Sequence, residues 1–197
     1  IGVWMIEQLV EIDFEMLSVS YIMTEFFLLS LCLMMQEEQK KIENYCLKSH
    51  RKNYLGIILC LYTGIRIGEL LALSWDDIDF NKKLLYIRKT VYSIKKDNQY
   101  KMVIDKPKTI KSNRVIPIHP KLIQMGFLQY VEYQRKNGKG KLFSDLNRQK
   151  RGLYGRSVQA WFARHLDHLG ITDKSKVFHS FRHTFETMAV EKRIPSE

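Results

Sequence analysis

Two histidines and an arginine stand together in His179-Ser180-Phe181-Arg182-His183. On a helix, positions 179, 182 and 183 fall on one face, because they are spaced i, i+3, i+4. A face with two imidazoles and a guanidinium has two chemistries open to it. Two histidines at i, i+4 can ligate a metal, as a metal-dependent hydrolase would require. Against that, Arg182 sets a cation beside the cation, and no glutamate follows His179 as the HExxH pattern demands. An anion suits the face better, since a phosphate accepts hydrogen bonds from all three side chains.

Two other clusters carry charge in unusual places. In Thr63-Gly64-Ile65-Arg66-Ile67-Gly68-Glu69-Leu70-Leu71, an arginine opens an apolar helix. A charge is costly there unless it is paired, and Glu69, three residues on, can reach it. Read alone, the cluster is equally a structural Arg66–Glu69 pair. The two glycines allow another backbone to come close. In Lys106-Pro107-Lys108-Thr109-Ile110-Lys111-Ser112-Asn113-Arg114, four cations lie between two strand candidates. Such a loop is either a solvated basic turn or a projection into a nucleic-acid groove.

The elements that must position these residues follow from periodicity. Residues 36–50 predict a charged amphipathic helix with Ile42, Tyr45 and Cys46 on one face. Residues 54–64 predict an apolar helix ending at Thr63-Gly64, and the next helix carries Ile67, Leu70, Leu71 and Leu73 toward a core until Asp76-Asp77-Ile78-Asp79 breaks it. LLYIRKTVY (84–92), YKMVID (100–105) and RVIPI (114–118) are strand candidates, expected to form one small three-stranded antiparallel sheet. Helices return over Lys121–Lys136, over Ser157–Leu169 with Ser157 as N-cap and Gly170 as C-cap, and over His179–Glu191. The fold class is α+β, mainly helical.

Composition narrows the partner. The 197 residues hold 32 Lys and Arg against 21 Asp and Glu, a net charge of +11. Residues 1–35 contain no Lys or Arg and five acids, so over 36–197 the 32 basic residues face 16 acidic ones. That excess points to a polyanion, and nucleic acid is the commonest. Cys32, Cys46 and Cys60 make neither a disulfide framework nor a CxxC zinc site, which places the chain in a reduced, cytoplasmic setting. Phe26–Met35 is the most apolar stretch, yet it is shorter than the ~20 residues of a membrane span, so no membrane is expected as a partner. Two regions result: an unassigned apolar, acidic segment over 1–35 and a basic domain over 36–197.

From about Gln36 onward the chain resembles the catalytic domain of tyrosine recombinases, the phage-integrase family, in the branch carried by bacterial mobile elements. TGIRIGELLALSWDDID is similar to the family's first box, PKTIKSNRVIPI to its β-hairpin box, and HSFRHTF to its HxxR box. The resemblance implies site-specific cutting and rejoining of double-stranded DNA by protomers gathered in a synaptic complex. It implies catalytic roles for Arg66, Lys108, His179 and Arg182, and DNA contacts for Lys106, Lys111, Arg114 and His183. Arg66 and Arg182 would clamp the nonbridging oxygens, Lys108 would protonate the leaving 5′ oxygen, and His179 would hold a proton near the nucleophile. The arginines stand where many nucleases use a divalent ion, so no metal or other cofactor is implied.

Three features depart from the family pattern. The family's nucleophilic tyrosine follows the HxxR helix, whereas the last tyrosine here is Tyr154. Glu186 stands where the family has a small residue, within reach of Arg182. Residues 1–35 do not resemble the helical core-binding domain. The expectation is therefore a fragment that is inactive alone, lacking the C-terminal part of the domain. The alternative is a non-catalytic DNA-binding remnant that regulates or competes with a full-length recombinase.

Overall fold

The computed structural model describes residues 33–49, 54–105, 113–137, 140–143, 146 and 155–191, with only the backbone of Ser157 among them. Most of segment 1–35 and the lysines Lys106, Lys108 and Lys111 lie outside these residues. Helix α1 spans Gln36–Lys48 and starts where the Glu38 carboxylate accepts the Met35 backbone N–H at 2.8 Å. Ile42 and Cys46 of its predicted apolar face are buried.

Helix α2, Leu55–Thr63, is apolar on every side because it runs through the core, and Ile57, Ile58, Leu59 and Cys60 are all shielded from solvent. It stops at Gly64, whose φ of 61° lies in the left-handed region and whose N–H reaches the Cys60 carbonyl at 2.9 Å. A side chain there would also collide with Phe185, since a Cβ would stand 2.9 Å from its ring. The chain turns at once into α3, Ile67–Ala72, which buries Leu70 and Leu71. A 3₁₀ turn over Trp75–Asp77 follows, capped by Ser74, whose N–H and hydroxyl both donate to Asp77.

The middle of the chain is β, but the strands divide differently from the reading by propensity. The run 84–92 is two strands, β2 (Leu84–Ile87) and β3 (Thr90–Lys96), interrupted at Arg88-Lys89. β2 lies between the short β1 (Ile78–Asp79) and β5 (Arg114–Pro117) in a three-stranded antiparallel sheet. β3 instead pairs with β4 (Gln99–Asp105) as a separate hairpin, closed by Asp97-Asn98 with φ of 51° and 59°. Nonlocal pairing decided this: Leu84–Ile87 finds its partner thirty residues downstream, and the hairpin forms locally between the two.

The predicted helix over Lys121–Lys136 is likewise two, α4 (Pro120–Gln124) and α5 (Phe127–Asn137), broken at Gly126 with φ of 84°. Helix α6 covers Arg156–His168 and begins at Gly155, so Ser157 is inside the first turn and does not cap it. Helix α7, Ser180–Glu191, packs along α2. Phe181 of α7 meets Phe162 and Phe178 edge to face, with ring centroids 5.0 and 5.4 Å away. Cys46 and Cys60 are free and buried. Among the described residues no helix is long and apolar enough to cross a membrane.

Candidate DNA-phosphate site

Helix α7 is fixed by one side and offers the other. Phe181 enters the aromatic core, the Ser180 hydroxyl accepts the Val177 N–H at 3.0 Å, and Thr184 Oγ1 accepts the Met34 N–H at 2.8 Å. The remaining positions 179, 182, 183 and 186 form a polar stripe at helical spacing. His179 stands immediately before the first helical residue, and its carbonyl accepts the Arg182 N–H at 3.0 Å. The two imidazoles lie edge to face with centroids 4.7 Å apart.

Arg66 is presented from the other side by a tight turn. It is the residue before α3, with extended backbone, and Glu69 folds back to accept its N–H at 2.8 Å and its Nη1 at 3.2 Å. The Arg66 side chain remains half exposed while Glu69 is buried. The turn also touches α7 directly, because Arg182 Nη1 donates to the Gly64 carbonyl at 3.1 Å and Phe185 lies against Gly64. Sequence positions 66 and 182 therefore belong to one site.

Its electrostatics follow from that convergence. Burial lowers the pKa of Arg182; Glu186 opposes this, and the charges of Arg66 and Arg114 lower it further. A guanidinium stays protonated at any working pH, so the meaning is energetic: burial strips solvent from this charge, and an incoming anion can replace it. His179 is pushed below its ordinary 6.5 by burial first, then by His183, Arg182 and Arg66, with Glu186 opposing. The arrangement offers an anion charge-assisted hydrogen bonds with a depressed-pKa imidazole beside them. Among the described residues, no group of three or more His, Cys, Asp or Glu could hold a metal ion.

Arg114 opens β5, and its Nη1 and Nη2 reach the two Glu69 oxygens at 3.1 and 2.8 Å. Its paired guanidinium is thus turned to the buried carboxylate, a contact across 45 residues that no local pattern signals. Gly68 lets α3 meet β3: a Cβ there would stand 2.7 Å from the Val91 carbonyl. The Gly64 carbonyl as acceptor for Arg182 also escapes sequence reading, since backbone acceptors carry no residue signature.

A mainly helical domain with a three-stranded antiparallel sheet is the catalytic fold of tyrosine recombinases. The chain matches the phage integrase family over residues 23–197 and belongs to it. It is 33% identical over 177 residues to a tyrosine recombinase XerC-like protein of Caldanaerobacter subterraneus subsp. tengcongensis, covering 81% of this chain and 43% of that protein. It is 27% identical to the transposase from transposon Tn916 of Enterococcus faecalis, covering 77% of this chain and 39% of that protein. The chain thus spans less than half the length of these relatives. Among solved structures, the Tn1549 transposon integrase in complex with transposon right end DNA superposes with a TM-score of 0.64 at 20% identity, over 84% of this chain and 55% of that one. XerA recombinase superposes with a TM-score of 0.56 at 17% identity, over 83% and 50%.

Proposed function

We propose that the chain is the major part of the catalytic domain of a site-specific recombinase that cuts and rejoins double-stranded DNA during movement of a mobile element. The observation that carries this reading is the convergence of Arg66 and Arg182 through the Gly64 turn. In the reaction, a tyrosine oxygen attacks a DNA phosphorus, the P–O5′ bond breaks, and a 3′-phosphotyrosyl link retains the bond for rejoining. Negative charge grows on the nonbridging oxygens, where Arg66 and Arg182 act. Losing one such donor typically costs a hundredfold or more in rate, ~3 kcal/mol. Lys108 gives its proton to the departing 5′ oxygen, and His179, neutral near pH 7, holds one near the attacking oxygen. His183, Lys106 and Lys111 add phosphate contacts. The partners are duplex DNA and further protomers in a synaptic complex, and the setting is cytoplasmic.

No tyrosine follows Arg182 in these 197 residues, the last being Tyr154. A polypeptide of these residues alone is expected to bind DNA without bonding to it. A second reading, a DNA-binding protein that competes with a complete recombinase, draws support from the Arg182–Glu186 ion pair, which occupies the clamp. Nicked suicide duplexes separate the two. With a C-terminal segment supplied from a relative and carrying its tyrosine, the enzyme reading expects a covalent adduct on a denaturing gel, lost in Arg182→Ala. No adduct with that segment in place favours the competitor.

A further inference from the structure

The Glu69 carboxylate is 2% exposed and accepts four hydrogen bonds, two on each oxygen. Oε1 takes Arg66 Nη1 at 3.2 Å and Arg114 Nη1 at 3.1 Å; Oε2 takes the Arg66 N–H at 2.8 Å and Arg114 Nη2 at 2.8 Å. A carboxylate offers about four lone-pair sites, so Arg66 and Arg114 together fill it. Half of that capacity holds Arg114. The other half holds Arg66 by its backbone and by a single side-chain N–H.

We propose that Arg114 is a positioning residue that acts through Glu69 to decide how much of the Arg66 guanidinium is free for phosphate. The inference rests on the reading of Arg66 as a phosphate ligand. Planar, bidentate pairing with Arg114 saturates the side of the carboxylate that Arg66 does not use. Arg66 then keeps most of its five N–H donors available, consistent with its half-exposed side chain. Without Arg114, two lone-pair sites in a buried, desolvated carboxylate lose their donors. Among the described residues the cation that remains on the carboxylate is Arg66, only three residues away, and it is drawn inward to satisfy them. Arg114 also ties the first residue of β5 to α3, so the strand that follows the basic segment 106–112 is held to the turn that presents Arg66.

The test is a titration of the 197-residue chain with inorganic phosphate, read from the side-chain Nε–Hε NMR signal of Arg182 in each variant. Arg66→Ala is expected to weaken phosphate at least fivefold, and Arg114→Met at least threefold. In a Glu69→Gln background, Arg114→Met is expected to change the affinity by less than twofold, because its route through the carboxylate is gone. A threefold loss that persists in that background means Arg114 acts on the anion directly, by contact or through its charge, which overturns the inference. Unchanged affinity in Arg114→Met with a loss in Arg66→Ala also overturns it. Unchanged affinity in Arg66→Ala removes the reading of Arg66, and the inference with it. Should Arg114→Met not fold, Arg114→Lys carries the test: its one ammonium cannot make two parallel bonds, and a loss of twofold or more is expected, against unchanged affinity if the bidentate geometry is irrelevant.

Discussion

Arg182 Nη2 lies 2.5 Å from Glu186 Oε1, one helical turn along α7, on the stripe that also carries His179 and His183. The carboxylate thus occupies a donor that the phosphate clamp would use. Both groups keep access to solvent, so the pair is screened and worth about 0.3–0.5 kcal/mol. Glu186→Ala is expected to tighten duplex binding about twofold by fluorescence anisotropy, since that free energy is about a factor of two. Weaker binding in the variant would mean that Glu186 orients Arg182 for DNA and does not compete with it.

Glu69 is expected to matter for folding as well as for the site. Burial alone would raise its pKa, but the bond from Arg114, the backbone bond from Arg66 and both positive charges outweigh burial and hold it below its ordinary 4.5. Its contribution to stability is therefore complete above that ordinary value and is lost as pH falls through the lower folded-state value. Glu69→Ala leaves two arginines facing a void and is expected to cost about 3 kcal/mol in urea unfolding at pH 7, less than in a fully buried pair because Arg66 reaches water. The difference from wild type should shrink on acidification. A constant difference from pH 7 to pH 3 would contradict an ionised, paired Glu69.

Gly68 tests the packing that sets α3 on β3. Alanine is normally favoured over glycine within a helix by about 1 kcal/mol. Here its Cβ would sit 2.7 Å from both Thr90 Oγ1 and the Val91 carbonyl, and the backbone atom cannot rotate away. The clash wins, and Gly68→Ala is expected to destabilise by about 1–3 kcal/mol in urea unfolding. A stabilised variant would show that α3 and β3 have room to separate.

The sequence was most legible where local pattern and tertiary environment agree. The apolar run of α2 and its Gly64 stop are local facts, and so is the i, i+3, i+4 grouping of His179, Arg182 and His183. Over Leu84–Tyr92 the β propensity is continuous across Arg88-Lys89, while the break depends on β2 pairing with a strand distant in sequence. The break at Gly126 rests on its left-handed backbone, φ 84°, which a glycine inside a helical run does not announce. Glu69 was readable as a partner for Arg66, but its second partner Arg114 stands in a different sequence box, where a solvated basic loop accounted for it equally well. The residues between them carry no trace of the pairing.

His179 should make DNA binding depend on pH. Burial and the neighbouring His183, Arg182 and Arg66 depress its pKa below 6.5, with Glu186 pulling the other way. The imidazole is therefore neutral at pH 7, and in the free protein its protonation at lower pH costs stability. A phosphate beside it favours the protonated form, so binding takes up a proton and affinity rises as pH falls toward the depressed free-state value. His179→Asn is expected to flatten that rise in anisotropy titrations from pH 7.5 to pH 5.5. An equal rise in wild type and variant would place the phosphate away from His179.

If Arg66 and Arg182 grip one DNA phosphate together, the salt dependence of duplex binding registers it. Each phosphate contact contributes about 0.9 to the slope of log affinity against log salt on duplex DNA. Duplex binding by the wild-type chain should weaken steeply with added salt, as expected for a chain of net charge +11. The Arg66→Ala, Arg182→Ala double variant should bind more weakly and show a slope smaller by about one, because the two arginines share one phosphate. A double variant with the affinity and slope of wild type would mean that neither arginine touches DNA phosphate.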